Sequence, residues 1–171
     1  FCLPSATNGV IDIKFDKLHI NTGEVVHLTL TYDPTTGLAT CYVNGGKESQ
    51  ARTLSKYTYH PDVFSTLLVM GNDLRGGSAQ YFKGTIGSLA IYSNTRTATQ
   101  VAADYAGIDL NDENLLVYYD LTGKAFGDEV ENQAGDRYDI AYKSKAYADT
   151  ETWFDGKTPE NFLYSFAIVG D

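Results

Sequence analysis

An alternating segment followed by a strong turn signal constrains the fold more than any other feature of the chain. In residues 26–32 apolar side chains alternate with one histidine and two threonines, a period that predicts a strand with one apolar and one polar face. Residues 33–37 read Asp-Pro-Thr-Thr-Gly and predict a turn, because proline presets φ and glycine accepts a positive φ. Leu38–Val43 then returns as the second arm of an antiparallel hairpin.

Further short strands, separated by turn residues, are predicted along the rest of the chain. Sixteen glycines and thirteen tyrosines in 171 residues fit a protein of strands and tight turns. Besides the hairpin, the predicted strands are residues 10–15, 67–70, 79–82, 86–92, 115–121, 138–142 and 162–169. Residues 44–46 are expected to turn the chain, and residues 71–77 to form an irregular loop. The pattern is typical of an antiparallel β-sandwich or jelly roll.

One helix is predicted among these strands. Thr97 is a favourable N-cap, and Gln100 three residues later completes a capping box. Val101 and Tyr105 are four residues apart and therefore share one face of the helix. Gly107 follows where helices commonly end. The sequence thus predicts an all-β protein with one short helix.

Charge and hydropathy exclude two classes of partner. The chain has 22 acidic and 13 basic residues, a net charge of −9, whereas nucleic-acid binding needs clustered lysines and arginines. Its apolar runs are far shorter than the roughly 18 residues of a membrane-spanning helix, so we expect no direct membrane insertion. Phe1 is not an initiator methionine, so we expect a processed product or a fragment of a longer chain.

Several segments stand in an order that resembles a known family. They read HLTLTYD at residues 27–33, CYVNG at 41–45, YFKGTI at 81–86 and LAIY at 89–92, and the predicted helix follows. Together they resemble the core of laminin-G-like domains in the concanavalin A-like lectin/glucanase superfamily, over residues 9–107. The resemblance implies a concanavalin A-like jelly-roll β-sandwich of two curved antiparallel sheets, with ligands bound on the concave face or at the rim loops.

The order of the parts differs from that of the family, whose opening pieces here follow the core. The pieces that resemble the family's opening are residues 115–121, 132–140, 153–156 and 162–169. We therefore divide the chain into a jelly-roll core at 1–110 and a segment at 111–171. That segment is predicted to complete the sandwich, in its own chain or by self-association with a neighbouring copy, because a sandwich lacking its opening strands would expose edges. The alternative is that it begins a second tandem copy.

The sequence lacks the motifs of a hydrolase. Glucanases of the superfamily place two catalytic carboxylates in a Glu-x-Asp-x-x-Glu pattern on one strand, and this pattern is absent. Glu129 and Glu131 alternate, but in a turn-rich stretch where solvated side chains are expected. His27 lies on the polar face of its strand and is interpreted as a hydrogen-bonded structural residue. We therefore predict a non-catalytic protein, with a glycoside hydrolase as the less favoured alternative.

Calcium is the metal that the sequence favours. Asn72 and Asp73 are placed on a loop at a strand end, where side-chain and carbonyl oxygens can converge on a hard cation, and Asp155 has a similar setting. The alternative for each is a turn in which the side chain only caps the backbone. Family members often carry an aspartate near a structural calcium where this chain has Gly87, which disfavours a metal at that position.

Candidate carbohydrate-binding residues are aromatic or form charged hydrogen bonds. Tyr57 and Tyr59 lie in a loop-like stretch, Trp153 is the only tryptophan, and Arg75 can donate to sugar hydroxyls. The alternative for each is ordinary packing at the core or the rim. We accordingly predict an extracellular or cell-surface module that binds a glycan or a protein on a surface, with a structural assembly module as the rival.

The two cysteines, Cys2 and Cys41, are too few for a disulfide framework. Both lie in strand-like segments, so they can either pair across neighbouring strands or remain small buried hydrophobic residues.

Overall fold

The computed structural model describes the chain in eight stretches, and these contain mostly antiparallel strands and one short helix. The stretches are residues 2–5, 9–54, 72–73, 80–81, 85–124, 128–136, 140–141 and 165–169. The strands are β1 (Cys2–Ser5), β2 (Gly9–Asp12), β3 (His27–Asp33), β4 (Leu38–Val43), β5 (Glu48–Thr53), β6 (Asn72–Asp73), β7 (Gln80–Tyr81), β8 (Ser88–Tyr92), β9 (Leu115–Asp120), β10 (Glu129–Val130), β11 (Ile140–Ala141) and β12 (Ser165–Val169). The helix α1 spans Ala98–Ala106.

Six of these strands form the largest sheet in the described part of the chain. Their order is β5-β4-β3-β12-β8-β9, and every neighbouring pair is antiparallel. The pairs β1-β2, β6-β7 and β10-β11 form separate two-stranded sheets. The predicted β3–β4 hairpin is confirmed, and so is the predicted helix.

Strand β12 lies in the interior of the six-stranded sheet although it comes last in the chain. Its Ala167 is aligned with Thr29 of β3 on one side and with Ala90 of β8 on the other. Strand β9 is added to the far side of β8, where Val117 is aligned with Ile91. The segment 111–171 therefore supplies two strands to a sheet that it shares with the segment 1–110. Completion of the sandwich by this segment, and the alternative that it begins a second tandem copy, both stay predictions.

The turn of the β3–β4 hairpin is fixed by its aspartate and its glycine. The Asp33 carboxylate accepts hydrogen bonds from the Thr35 N–H (2.8 Å) and the Thr36 hydroxyl (2.6 Å). Gly37 has φ +70°, and a Cβ there would lie 2.7 Å from the Leu54 carbonyl oxygen. Glycine is thus required both for the backbone conformation and for the close approach of the chain.

The prediction of one solvated polar face on β3 is wrong. His27, Thr29 and Thr31 are only 3 %, 1 % and 3 % exposed, as deeply buried as Leu30 and Tyr32 on the opposite face. Threonine tolerates this burial because its hydroxyl can form hydrogen bonds within the sheet. The Thr31 hydroxyl donates to the Thr40 carbonyl of β4. Alternation of polar and apolar residues therefore marks the strand correctly but does not show which face meets water.

Strand β5 was not predicted, and it follows a short 3-10 helix at Asn44–Gly46 where a turn was expected. Its sequence, Glu-Ser-Gln-Ala-Arg-Thr, has few of the β-branched and aromatic residues that are enriched in strands. The strand is defined by its pairing with β4 along its whole length. Tertiary pairing thus overrides a weak local preference.

The strand predicted at residues 10–15 is shorter in the structure, since β2 ends at Asp12. The chain that follows is fixed to β5 by side chains of that strand. The Lys17 N–H donates to the Gln50 amide oxygen (3.0 Å), and the His19 N–H donates to a Glu48 carboxylate oxygen (3.1 Å). The segment after β2 is therefore held by hydrogen bonds to side chains of β5, in place of the backbone hydrogen bonds that it would make as a further strand.

Asn132 covers the outer edge of β9. Its amide oxygen accepts from the Tyr118 N–H (2.8 Å), and its amide nitrogen donates to the Leu116 carbonyl (3.0 Å). The Gln133 N–H then donates to the Tyr118 carbonyl (2.9 Å). One buried asparagine and the residue after it thus satisfy backbone groups that an edge strand would otherwise leave unpaired.

We expect the segment 1–107 not to fold on its own. Truncation after Gly107 removes β9 and β12, so both β3 and β8 acquire unpaired edges. The truncated protein should aggregate or unfold without a cooperative transition, as measured by circular dichroism during heating. A soluble monomer with the melting temperature of the full chain would contradict this.

A point variant tests the same pairing at full length. Ala167→Pro removes a ladder N–H within the sheet and should cost about 2 kcal/mol, which lowers the melting temperature by roughly 4–8 °C in a domain of this size. Ala167→Ser keeps the N–H and serves as the control.

Candidate functional site

Helix α1 is held at both ends by the interactions that its sequence predicted. The Thr97 hydroxyl accepts from the Gln100 N–H (3.3 Å), and the Gln100 side chain accepts from the Thr97 N–H (2.9 Å). The Gly107 N–H donates to the Ala103 carbonyl (3.1 Å) after the last helical residue. Val101 is fully buried, so the predicted packed face is correct at that position.

Arg96, just before the helix, forms a buried charged cluster. Its guanidinium bonds both carboxylate oxygens of Asp104, at 2.9 and 2.7 Å, and one oxygen of Asp112 at 2.6 Å. The same group lies 4.0 Å from the centroid of the Tyr92 ring. Burial and the nearby Asp104 carboxylate raise the pKa of Tyr92. The cluster fixes α1 to β8 and to the connection before β9, so its role is structural.

A second cluster lies where α1 meets the 3-10 helix after β4. The Tyr105 and His27 rings are tilted to each other, with centroids 5.4 Å apart. Gly45 has φ +69°, and a Cβ there would lie 2.7 Å from a Tyr105 ring carbon. The Asn44 amide oxygen accepts from the His27 N–H (2.8 Å). The Lys47 ammonium lies 5.9 Å from the Tyr105 ring centroid.

This Tyr105 cluster combines a buried base with a partly exposed ring. Burial lowers the pKa of His27, although Asp104 opposes the shift. The imidazole Nε2 is buried and has no hydrogen-bond partner among the described residues, while Nδ1 lies 3.5 Å from the Thr29 hydroxyl. Tyr105 is 44 % exposed. An exposed aromatic ring beside an ammonium can stack on an apolar ligand face and attract an acidic group.

The sequence did not identify Lys47 or Tyr105 as surface binding residues. The spacing of Tyr105 from Val101 predicts only that both lie on one packed face of the helix. It does not show that the turn at residues 44–46 lies beside the Tyr105 ring. The one local signal is the Asn-Gly pair at residues 44 and 45, both with positive φ, which permits the close approach of the ring.

Most of the predicted binding residues lie outside the described part of the chain: Tyr57, Tyr59, Arg75, Trp153 and Asp155. The loop prediction is wrong for Asn72 and Asp73, which form strand β6 and are aligned with Tyr81 and Gln80 of β7. Cross-strand pairing of the neighbouring segment overrides the local turn composition there. Their assignment as calcium ligands stays a prediction.

Three of the described carboxylates, those of Asp16, Asp33 and Glu48, are engaged in structural hydrogen bonds. A hydrogen bond from Gln50 lowers the pKa of Asp16, and hydrogen bonds from Thr36 and from His19 do the same for Asp33 and Glu48. No group of three histidine, cysteine, aspartate or glutamate side chains among the described residues could hold a metal ion. These carboxylates therefore stabilise turns and connections in their charged form.

Glu129 and Glu131 line a shallow open pocket together with Asp120 and Lys124. Both glutamates are exposed, in keeping with the expectation of solvated side chains. Hydrogen bonds from Thr122 lower the pKa of Asp120, whereas a glycosidase needs one carboxyl group whose pKa is raised. The environment of Asp120 therefore favours its charged form, which is the opposite of what a general acid requires.

Cys41 is a free, half-buried thiol in β4, and burial raises its pKa to about 11. This favours the interpretation of a small packed residue over a disulfide with Cys2, whose side chain is outside the described set.

Comparison with known protein families identifies the chain. A family model for the concanavalin A-like lectin/glucanases superfamily matches residues 4–102, more than half of the sequence. The chain belongs to this superfamily. The suspected laminin-G-like domain is thereby confirmed, and the antiparallel strands with one short helix are consistent with the concanavalin A-like fold. Neither the curated proteins nor the solved structures gave a match.

Membership indicates a domain of the general lectin or adhesion type, and laminin-G-like domains are usually non-catalytic. The superfamily name also includes glucanases. No helix in the described part of the chain is long and apolar enough to cross a membrane.

Loss of the Arg96 guanidinium should destabilise the fold strongly. Arg96→Met leaves two carboxylates without their shared buried partner, which should cost about 3–5 kcal/mol. The melting temperature should fall by roughly 6–20 °C. Arg52→Met, which breaks an ion pair of half-exposed groups, should cost about 1 kcal/mol or less. Equal losses in chemical denaturation of the two variants would refute the structural role of the cluster.

Stability should fall as the pH drops below about 6.5, the ordinary pKa of histidine. Because the folded pKa of His27 is lowered, the unfolded chain binds the proton more tightly. The stabilisation is thus complete above that pH and decreases by up to about 1.4 kcal/mol per unit on acidification. His27→Gln should flatten the profile of unfolding free energy between pH 8 and 5, whereas the exposed control His19→Gln should not. An unchanged profile in His27→Gln would contradict the assignment.

Proposed function

We propose that this domain is a non-catalytic module that binds carbohydrate, or acts in adhesion, as part of a larger extracellular protein. The observation that carries the proposal is the superfamily match over residues 4–102, because sandwiches of this type serve as lectins and adhesion modules. The proposed fold is the jelly-roll β-sandwich, in which the six-stranded sheet would form one layer. The partner is a glycan or a protein on a surface.

The use of the charged residues supports a binding role over a catalytic one. Arg96 neutralises Asp104 and Asp112, and Asp16 is paired with Arg52. A hydrogen bond from Gln50 lowers the pKa of Asp16, which is therefore a poor proton donor at neutral pH, since hydrogen bonds to the charged form favour that form. Glu129 and Glu131, which line the pocket beside β9 and β10, are exposed and contribute to the net charge of −9.

Two surfaces are proposed for the glycan. The first is the set predicted from sequence, Tyr57, Tyr59, Arg75 and Trp153, with calcium at Asn72, Asp73 or Asp155 as an accompanying proposal. The second is the Tyr105 cluster, whose ring is exposed enough to stack on a pyranose face. The Lys47 ammonium beside it would favour an acidic sugar.

A glycan array followed by titration tests the proposal. We expect binding with a Kd of about 0.1–1 mM, lost in Trp153→Ala or Tyr59→Ala and retained in Tyr59→Phe, which keeps the stacking ring. Loss of binding in Tyr105→Ala but not in Tyr105→Phe would instead assign the ligand to the Tyr105 cluster. Absence of binding to every glycan by a folded protein would reject carbohydrate recognition and favour a protein partner. Incubation with β-glucans should release no reducing sugar.

A further inference from the structure

The two edges of the six-stranded sheet differ in how their backbone groups are satisfied. The β9 edge is covered by Asn132 and Gln133. At the opposite edge, the Leu54 N–H donates to the Gly37 carbonyl (2.8 Å). Because hydrogen-bonded pairs alternate along an antiparallel ladder, residues 48, 50 and 52 bond to β4 and residues 49, 51 and 53 present their N–H and C=O groups outward.

This outer edge of β5 is open in the described part of the chain. No described residue hydrogen-bonds to the outward backbone groups of Ser49, Ala51 or Thr53. All three side chains are exposed and short, so they do not shield the backbone. The strand contains no proline and no bulge, and its two charged side chains, those of Glu48 and Arg52, are of opposite sign.

The arrangement of charges on β5 indicates what kind of strand can pair with its open edge. Glu48 and Arg52 lie two residues on either side of Gln50, on the face opposite to the exposed side chains. An antiparallel pair centred on Gln50 places Glu48 directly opposite Arg52 of the other strand, twice, in non-hydrogen-bonded pairs where side chains are closest. Ser49 then exchanges both backbone hydrogen bonds with Ala51 of the other strand, also twice.

Both charged groups retain capacity for such a contact. Glu48 bonds His19 through Oε2 alone, so Oε1 is available. Arg52 donates through Nε to the Lys14 carbonyl and through Nη2 to Asp16, which leaves Nη1. The segment before β3 thus orients both side chains without using all their hydrogen-bonding groups.

We propose that β5 pairs antiparallel with β5 of a second copy of this chain, with Gln50 at the twofold axis. The two six-stranded sheets become continuous across this pair. The proposal does not depend on glycan binding.

Analytical ultracentrifugation of the full chain tests the proposal. The protein should dimerise, and Glu48→Arg should weaken the dimer by at least about tenfold, because it places two arginines opposite each other. The double variant Glu48→Arg/Arg52→Glu restores the opposite charges and should recover most of the affinity. Ala102→Arg, on the exposed side of α1, is the matched control and should leave the dimer unchanged. A monomer at all accessible concentrations, or equal effects of Glu48→Arg and Ala102→Arg, would overturn the proposal.

Amide exchange measured by NMR gives a readout that does not depend on substitutions. The amides of Ser49 and Ala51 should become protected as the protein concentration rises, whereas the Gln50 amide, which bonds to β4, should be protected throughout. Ala51→Pro removes an outward N–H without removing a β4–β5 bond and should also abolish dimerisation. Concentration-independent exchange at Ser49 and Ala51 would overturn the proposal even if a dimer forms.

Discussion

Strand β12 hydrogen-bonds on both sides, and the six-stranded sheet depends on that double pairing. Without it, β3-β4-β5 and β8-β9 are two separate blocks, and the region that matches the superfamily contributes strands to both. The backbone groups of β3 are paired on both sides, and its side chains His27, Thr29 and Thr31 are buried as well. The pairing of β3 with β12 joins residues more than 130 positions apart, such as Thr31 and Ser165, so the sheet extends beyond the contiguous matched region.

Local physics explains which elements could be predicted from the sequence. The β3–β4 hairpin and α1 are specified by neighbouring residues: the turn by Asp33 and Gly37, the helix start by Thr97 and Gln100. Strand β5 and the burial of the polar face of β3 depend on contacts with other parts of the chain. Local composition does not show these contacts. The prediction of a loop around Asn72 is wrong for the same reason, since Asn72 is paired with Tyr81 of β7.

The Tyr105 cluster shows the same limit at a candidate binding surface. Tyrosines are abundant in this chain, so composition cannot show which ring faces a ligand. Tyr105 becomes a candidate only because Gly45 allows the helix to approach the turn and because Lys47 follows. The charged cluster around Arg96 was equally invisible in the sequence, since Asp104 and Asp112 look like solvated residues of a helix and a connector. Long-range packing gives both sets of residues their roles.

The amide side chain of Asn132 also limits how far this molecule can associate. Growth into a fibre requires two open edges, one to receive a copy and one to offer to the next. Asn132 occupies the Leu116 carbonyl and the Tyr118 N–H in the middle of β9, so the chain itself blocks this sheet edge there. Pairing at β5 uses the other edge of both copies and leaves the combined sheet with a blocked β9 edge at each end. A single buried asparagine thereby separates a closed twofold assembly from open-ended polymerisation.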